Sequence, residues 1–184
     1  MKTAWAVVAA ALFAVPSIAS GAVMLKLETK DLTDQAEAVV LGTVTSTKAQ
    51  WNEGKTKIVT LTTVKIGETV KGDLKGEVQI RTFGGEVDGL AQLVPGMPRF
   101  AKDQEVVLFL KSEDKAWHVV GLGQGKYEVV REKDKDPLVM NRLEGLSLGK
   151  KDDKGGVAID KEKPAPVQKP LKDFLLEIKS YVKK

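Results

Sequence analysis

Runs of β-branched residues, each bounded by a turn signal, are the feature that most limits what this chain can fold into. Residues 38–51 and 56–70 are two such runs separated by "NEGK", which predicts a long β-hairpin. Further strands are predicted at 76–83, 105–111, 116–122, 126–132 and 137–142. Because many short strands in succession form sandwiches or barrels, this pattern favours a mainly β fold.

The second run of the hairpin changes phase in its middle. Val59 and Leu61 share one parity, whereas Val64 and Ile66 have the other. A β-bulge at residues 62–63 would return all four side chains to one face and would bend the strand. Small closed barrels use bent strands to turn their corners. We therefore expect this phase change to mark a barrel.

The amino terminus has the composition of a secretory signal peptide. It opens with one lysine, continues as an uncharged apolar run over 4–19, and ends in small residues suited to signal peptidase. The run is shorter than a spanning helix and contains Pro16, so we do not expect a retained anchor. Cleavage after Ala19 and cleavage after Ala22 both fit. We expect residues 1–22 to be a signal peptide and the mature protein to be periplasmic or extracellular.

Composition narrows the possible functions of an exported chain. The sequence has 29 Lys and Arg, 25 Asp and Glu, a formal net charge of +4, and no cysteine. Without cysteine there is no disulfide framework, so packing alone must stabilise the fold. The small positive charge, with aromatic residues outside basic clusters, does not favour nucleic-acid binding. We expect a protein partner, no nucleic acid, and no integral membrane segment in the mature chain.

Two helices are expected outside the predicted strands. The stretch 29–38 reads as a short helix with Asp31 or Thr33 as its N-cap. The carboxyl end, residues 170–184, carries one apolar stripe at i, i+3, i+4, i+7 and i+11. The stripe consists of Leu171, Phe174, Leu175, Ile178 and Val182. We expect this helix to pack on the barrel, with a partner or a membrane surface as the alternatives.

The remaining composition divides the mature chain into a domain and a linker. Residues 144–169 are rich in Gly, Lys, Asp and Pro, which is linker composition. This leaves 23–143 as the β-domain. The sequence thus predicts a small OB-like Greek-key barrel with a short N-terminal helix and a C-terminal amphipathic helix.

The connection "GGEVDGLAQLVPGMPRF", residues 84–100, is too long and too apolar for an ordinary hairpin loop. Long loops in compact domains are usually functional or disordered, and this one is too apolar to be disordered. Two interpretations stay open: a plug over the barrel end, or a contact surface. We expect Val87 and Phe100 to be buried. The predicted partner-binding residues are Leu90, Leu93, Val94, Pro95, Met97 and Pro98.

The order of motifs resembles a group of uncharacterised exported bacterial proteins. The resemblance is carried by "AEAVVLGTV", "ETVKGDLKGEVQIRTFGG", "VPGMPRF", "EVVLFL" and "VGLGQGKYEV", over about residues 30–131. More remotely, the strand pattern is similar to the netrin-like OB barrel of tissue inhibitors of metalloproteases. Together, the two resemblances imply an inhibitor or accessory domain for a secreted protease as an alternative function. The inhibitors' zinc-binding cysteine has no counterpart here.

Motifs that could carry chemistry lack the context that each requires. "GLSLG", residues 145–149, matches the nucleophile elbow of hydrolases, but no histidine follows Ser147 in the chain. A serine hydrolase using Ser147 is therefore only a remote alternative. His118, the sole histidine, alternates along a predicted strand and has no second histidine or cysteine to share a metal. "GLGQG", residues 121–125, leads into a strand and predicts a turn. We expect no catalytic residue, no metal and no cofactor.

Overall fold

The computed structural model describes residues 22–143, 146–151, 157–159 and 166–182, and this part of the chain is mainly β. The strands are β1 Ala22–Leu25, β2 Ala38–Trp51, β3 Ile58–Lys71, β4 Glu77–Phe83, β5 Gly85–Val87, β6 Leu90–Gln92, β7 Glu105–Glu113, β8 Ala116–Val119, β9 Lys126–Val130, β10 Leu138–Asn141, β11 Leu146–Lys151, β12 Val157–Ile159 and β13 Val167–Pro170. The helices are α1 Thr29–Gln35 and α2 Leu171–Val182, with a 3-10 turn at Leu122–Gly125. In these ranges neither α-helix has the length and apolar character needed to cross a bilayer.

Five strands close into a ring. β2, β3 and β4 form an antiparallel meander, β7 pairs with β2, and β8 pairs with both β7 and β4. The β4–β8 contact is parallel and is made at Ile80 and Trp117, whereas the other four pairings are antiparallel. Around the ring, the strands therefore occur in the order β2, β3, β4, β8, β7. This is a Greek-key ring of the OB type, so the predicted fold class is confirmed.

Strand β7 belongs both to the ring and to a flanking sheet. One of its edges pairs with β2, and the other pairs with β9 through its first half and with β8 through its second half. From β9 the sheet continues outward through β10 and β13. Residues 106–110 are all buried, as expected for an apolar run covered on both faces.

Side chains alternate without interruption along residues 59–65 of β3, the part that pairs with β4. β3 and β4 pair in continuous register, and Ile80 of the barrel core stands opposite Thr62. Directly opposite residues lie on one face of a sheet, so Thr62 faces the barrel interior. The predicted bulge at residues 62–63 of β3 is therefore wrong. Val59 and Leu61 lie on the opposite face of the sheet, and the apparent phase change arises because a polar residue occupies an interior position.

The bulges of the hairpin lie at other places. The β2–β3 register shifts at three points, and one shift, between Val44 and Ser46, leaves Thr45 of β2 as the extra residue. An extra residue bends a strand and increases its twist, so the long hairpin does curve into the ring. The parity of apolar residues in one strand cannot show which of two paired strands carries the insertion.

Both helices pack on the outside of the ring. The four buried residues of α2 are Leu171, Phe174, Leu175 and Ile178, and they share one core cluster with α1, β2, β7, β9 and β10. The ring of Phe174 lies 4.5 Å from that of Tyr127 and 6.2 Å from that of Phe109. Burial raises the pKa of Tyr127. Packing of the carboxyl-terminal helix on the barrel is thus confirmed, although Val182 at its end is 39% exposed.

Helix α1 begins before either predicted N-cap. Its N-cap is Glu28, whose backbone N–H donates to the Asp31 carboxylate at 3.0 Å. Asp31 and Thr33 lie within the helix, where the Thr33 hydroxyl donates to the Thr29 carbonyl. The N-cap prediction was wrong because Glu is not among the residues preferred at that position.

The segment with linker composition, 144–169, contains strands where it is described. β11 pairs in parallel with β1 and antiparallel with β12, and β13 pairs with β10 at the end of the large sheet. Strand pairing uses backbone groups, so lysine- and glycine-rich residues can form it. Composition therefore gave no sign of these strands.

Candidate binding groove

Segment 84–100, which we call the cap, folds back over one end of the barrel. Its first part is a hairpin of β5 and β6, closed by Asp88 and Gly89, both at positive φ. A second turn follows, in which the Met97 N–H donates to the Val94 carbonyl at 3.2 Å. The cap therefore has its own regular structure.

Hydrogen bonds fix the first half of the cap to β3. The Gly84 N–H donates to the Ile58 carbonyl at 2.8 Å, and the Thr60 hydroxyl donates to the Gly84 carbonyl at 2.7 Å. The Ile58 N–H in turn donates to the side-chain oxygen of Gln92 at 2.8 Å. Gly85 sits so close to the sheet that a Cβ there would lie 2.6 Å from the Thr60 hydroxyl. Glycine is required at this close approach.

The second half of the cap is held by the 3-10 turn and by a buried lysine. An N–H of that turn donates to the Gly96 carbonyl at 2.8 Å. The Lys126 ammonium donates to the Arg99 carbonyl, pairs with the Glu128 carboxylate at 2.9 Å, and lies 5.1 Å from the Phe100 ring centroid. Partial burial raises the pKa of the Glu128 carboxyl and is the largest single effect, but the hydrogen bond and the positive charge of Lys126, with smaller contributions from other neighbours, together lower the pKa overall.

The six predicted contact residues differ in their exposure. Leu93 is 70% exposed and Leu90 is 58% exposed. The other four are the exposed Pro95, the half-buried Val94 and Met97, and the buried Pro98. Val87 and Phe100, which we expected to be buried, are each half-buried, and Phe100 packs against the core of the barrel. The cap thus covers the barrel and also presents two leucines to solvent.

A groove of about 580 Å³ lies between the cap and the barrel. Barrel side chains that line the groove from the interior face are Thr47, Ala49, Thr60 and Thr82, so its floor is mainly polar. Cap side chains that line it are mainly apolar, and include Leu93, Val94, Met97, Pro98 and Phe100. Glu86 and Arg99 add one charge of each sign to the lining. The groove therefore suits a ligand with both polar and apolar groups.

Thr62 extends this row of threonines below the groove. It is fully buried, stands opposite Thr47, and its hydroxyl has no hydrogen-bond partner in the described part of the chain. Sequence reasoning missed the row because it treated these threonines only as strand formers. Their even spacing along β3, at 60 and 62, was the available signal.

A second groove, of about 290 Å³, adjoins the first and shares four lining residues with it, among them Phe83 and Met97. Here the Phe83 ring stacks on His118, with centroids 6.4 Å apart and an interplanar angle of 26°. His118 is half-buried on β8, opposite Lys111 of β7. Among residues 22–143, 146–151, 157–159 and 166–182, no three metal-ligating side chains gather into a candidate metal site.

The serine of the hydrolase-like motif lies in a strand. Ser147 is the second residue of β11 and pairs in register with Val23 of β1; its side chain lies outside the described residues. β11 continues to Lys151, so the motif does not stand at a strand-to-helix turn. The "GLGQG" motif forms the predicted turn, with Gly121 at a φ of 62° before the 3-10 turn.

Comparison of the chain with protein-family models, with curated proteins and with solved structures finds no match. The resemblance to exported bacterial proteins and to the netrin-like barrel therefore remains an expectation from the sequence.

Proposed function

We propose that this protein is an exported, non-catalytic binding module that contacts a protein partner through its cap. The observation that carries the proposal is the contrast within the cap between fixed backbone and exposed side chains. Its backbone is anchored at Gly84, Gly96 and Arg99, while Leu90 and Leu93 remain mostly exposed. An apolar side chain held rigidly in solvent loses little entropy on binding, so such positions make efficient contacts.

The export part of this proposal depends on the amino-terminal sequence. The apolar run over 4–19 is too short for a spanning helix and is followed by small residues. Amino-terminal sequencing of the natural product is expected to find a start at Ser20 or Val23. Recovery of the intact 184-residue chain from the membrane fraction would contradict export with cleavage.

Partner capture with matched variants tests the cap contact. Leu90→Ser combined with Leu93→Ser should leave the free energy of unfolding within about 0.5 kcal/mol of the parent, because both side chains are largely solvated. The same variant should lose at least about tenfold in affinity for the captured partner. Leu176→Ser is the control, since Leu176 is 55% exposed but lies on α2, outside the cap.

Three outcomes are informative. Lost capture with unchanged stability supports a contact surface. Lost capture that merely follows lost stability shows that the two leucines plug the barrel. Equal loss of capture in Leu176→Ser shows that any exposed leucine matters, and the cap then has no special role.

A further inference from the structure

The second half of one edge of strand β2 has no partner strand in the part of the chain that the structure describes. β2 pairs with β3 as far as Trp51, but its pairing with β7 stops at Thr43. Val44 then exchanges hydrogen bonds with the residues just before β7. Beyond the bulge at Thr45, the edge of β2 that faces away from β3 makes no backbone hydrogen bond to any described residue. Such an edge is a template for another strand.

The register shows which backbone groups this free edge presents. In an antiparallel pair, residues alternate between bonding the partner strand and pointing away from it. The Asn52 N–H bonds the Lys57 carbonyl, whereas Ile58, opposite Trp51, directs its N–H and carbonyl toward the cap and β4 side. The alternation therefore turns the N–H and carbonyl groups of Trp51, Ala49 and Thr47 outward to the free edge.

We propose that this edge binds an extended peptide segment of the partner as an additional β-strand. An extended chain is the form that complements a row of unpaired N–H and carbonyl groups at strand spacing. The inference rests on the proposed function, because it states the form in which the partner binds. Thr47 and Ala49 also line the groove under the cap, so alternate side chains of the added strand enter that groove.

The two faces of the edge specify the peptide's side chains. Those on the groove side meet the half-buried Met97 and Phe100, which favours apolar residues at alternate positions. Those on the other side lie beside Lys48 and Gln50, both exposed. Lys48 has no ion-pair partner among the described residues, so an acidic residue across from it is favoured. The peptide is therefore proline-free and alternating, with a central acidic residue.

An array of synthetic heptapeptides of this pattern tests the proposal against labelled protein in solution. Each binding peptide has a counterpart with identical side chains that is N-methylated at alternate backbone nitrogens. We expect slowed amide exchange at Thr47, Ala49 and Trp51, and at least about tenfold weaker binding of the methylated counterpart. Equal binding of both peptides, no protection of these amides, or no binding anywhere in the array overturns the proposal.

A variant pair separates the backbone edge from the side chain. Thr47→Pro removes an edge N–H and blocks strand addition, whereas Thr47→Ala removes the same side chain and keeps the N–H. Peptide binding should be lost only in Thr47→Pro. If that variant does not fold, the exchange data on the unsubstituted protein decide. Dimerisation that Thr47→Pro abolishes, without peptide binding, would show that a second copy occupies the edge and would overturn the proposal.

The cap variants distinguish failure of this inference from failure of the proposed function. Partner capture lost in the Leu90→Ser and Leu93→Ser double variant but kept in Thr47→Pro refutes the edge and leaves the cap as contact surface. The reverse result supports the edge and refutes the cap contact.

Discussion

Replacing Gly84 by Ala tests whether the cap is fixed on the barrel as described. Gly84 has a φ of +94°, and a Cβ there would lie 2.6 Å from the backbone carbonyl oxygen of Gln92. Gly89, at the tip of the same segment, has a φ of +76° but nothing within 4 Å of a Cβ. An alanine at either position would therefore be strained by the positive φ, but only an alanine at position 84 would also clash with a neighbouring atom.

The two contributions can be given magnitudes. An alanine at positive φ costs about 1–2 kcal/mol, of which a few tenths to 1 kcal/mol is recovered from the less flexible unfolded chain. Gly89→Ala should therefore lower the free energy of unfolding by about 1 kcal/mol. At Gly84 the new methyl group meets a backbone atom that cannot rotate away, which adds about 1–3 kcal/mol as overpacking does. Gly84→Ala should lose about 2–4 kcal/mol in total.

Chemical denaturation of the two variants measures the difference, and limited proteolysis locates it. Gly84→Ala should either unfold at clearly lower denaturant concentration than Gly89→Ala or become sensitive to cleavage within 84–100. Equal midpoints with equal resistance to cleavage would refute the docked cap. Rapid cleavage of the unsubstituted protein within the cap would do so as well.

A further prediction concerns α2, whose packing on the barrel should contribute to the free energy of unfolding. Phe174 is fully buried between Phe109 and Tyr127, so Phe174→Ala should lower the free energy of unfolding by about 3–5 kcal/mol in a denaturant melt. Leu176→Ala, on the exposed face of the same helix, should change it by less than about 0.5 kcal/mol, and similar losses in both variants would contradict the packing.

The ring and its strands were predictable because each strand carries its own signal. Period-two apolar patterns and glycine-rich turns are local features, and they located the five ring strands and the docked stripe of α2. Closure of the ring through the single parallel contact of Ile80 and Trp117 is a long-range feature. It followed only from recognising the bent hairpin as a barrel element, and the bulge predicted at residues 62–63 of β3 is found instead at Thr45 of β2.

The candidate site was predictable only in part. The unusual length and apolar content of 84–100 singled out the cap, and its most exposed apolar residues, Leu90 and Leu93, were among those predicted. The threonine floor and the free edge of β2 were missed. Both features depend on strand register, which the sequence pattern does not show. The threonines face inward because of the bulge at Thr45, and the edge of β2 is free because β7 begins opposite Thr43.

The most direct test of the central claim is photo-crosslinking from position 93 in cells that produce the protein. A photoreactive residue replaces Leu93 in one variant and Leu176 in another, both of which are exposed and apolar. A contact surface on the cap predicts a specific adduct of higher mass from position 93 and none from position 176. No adduct from position 93, or the same adducts from both positions, would contradict the claim that the cap contacts a partner.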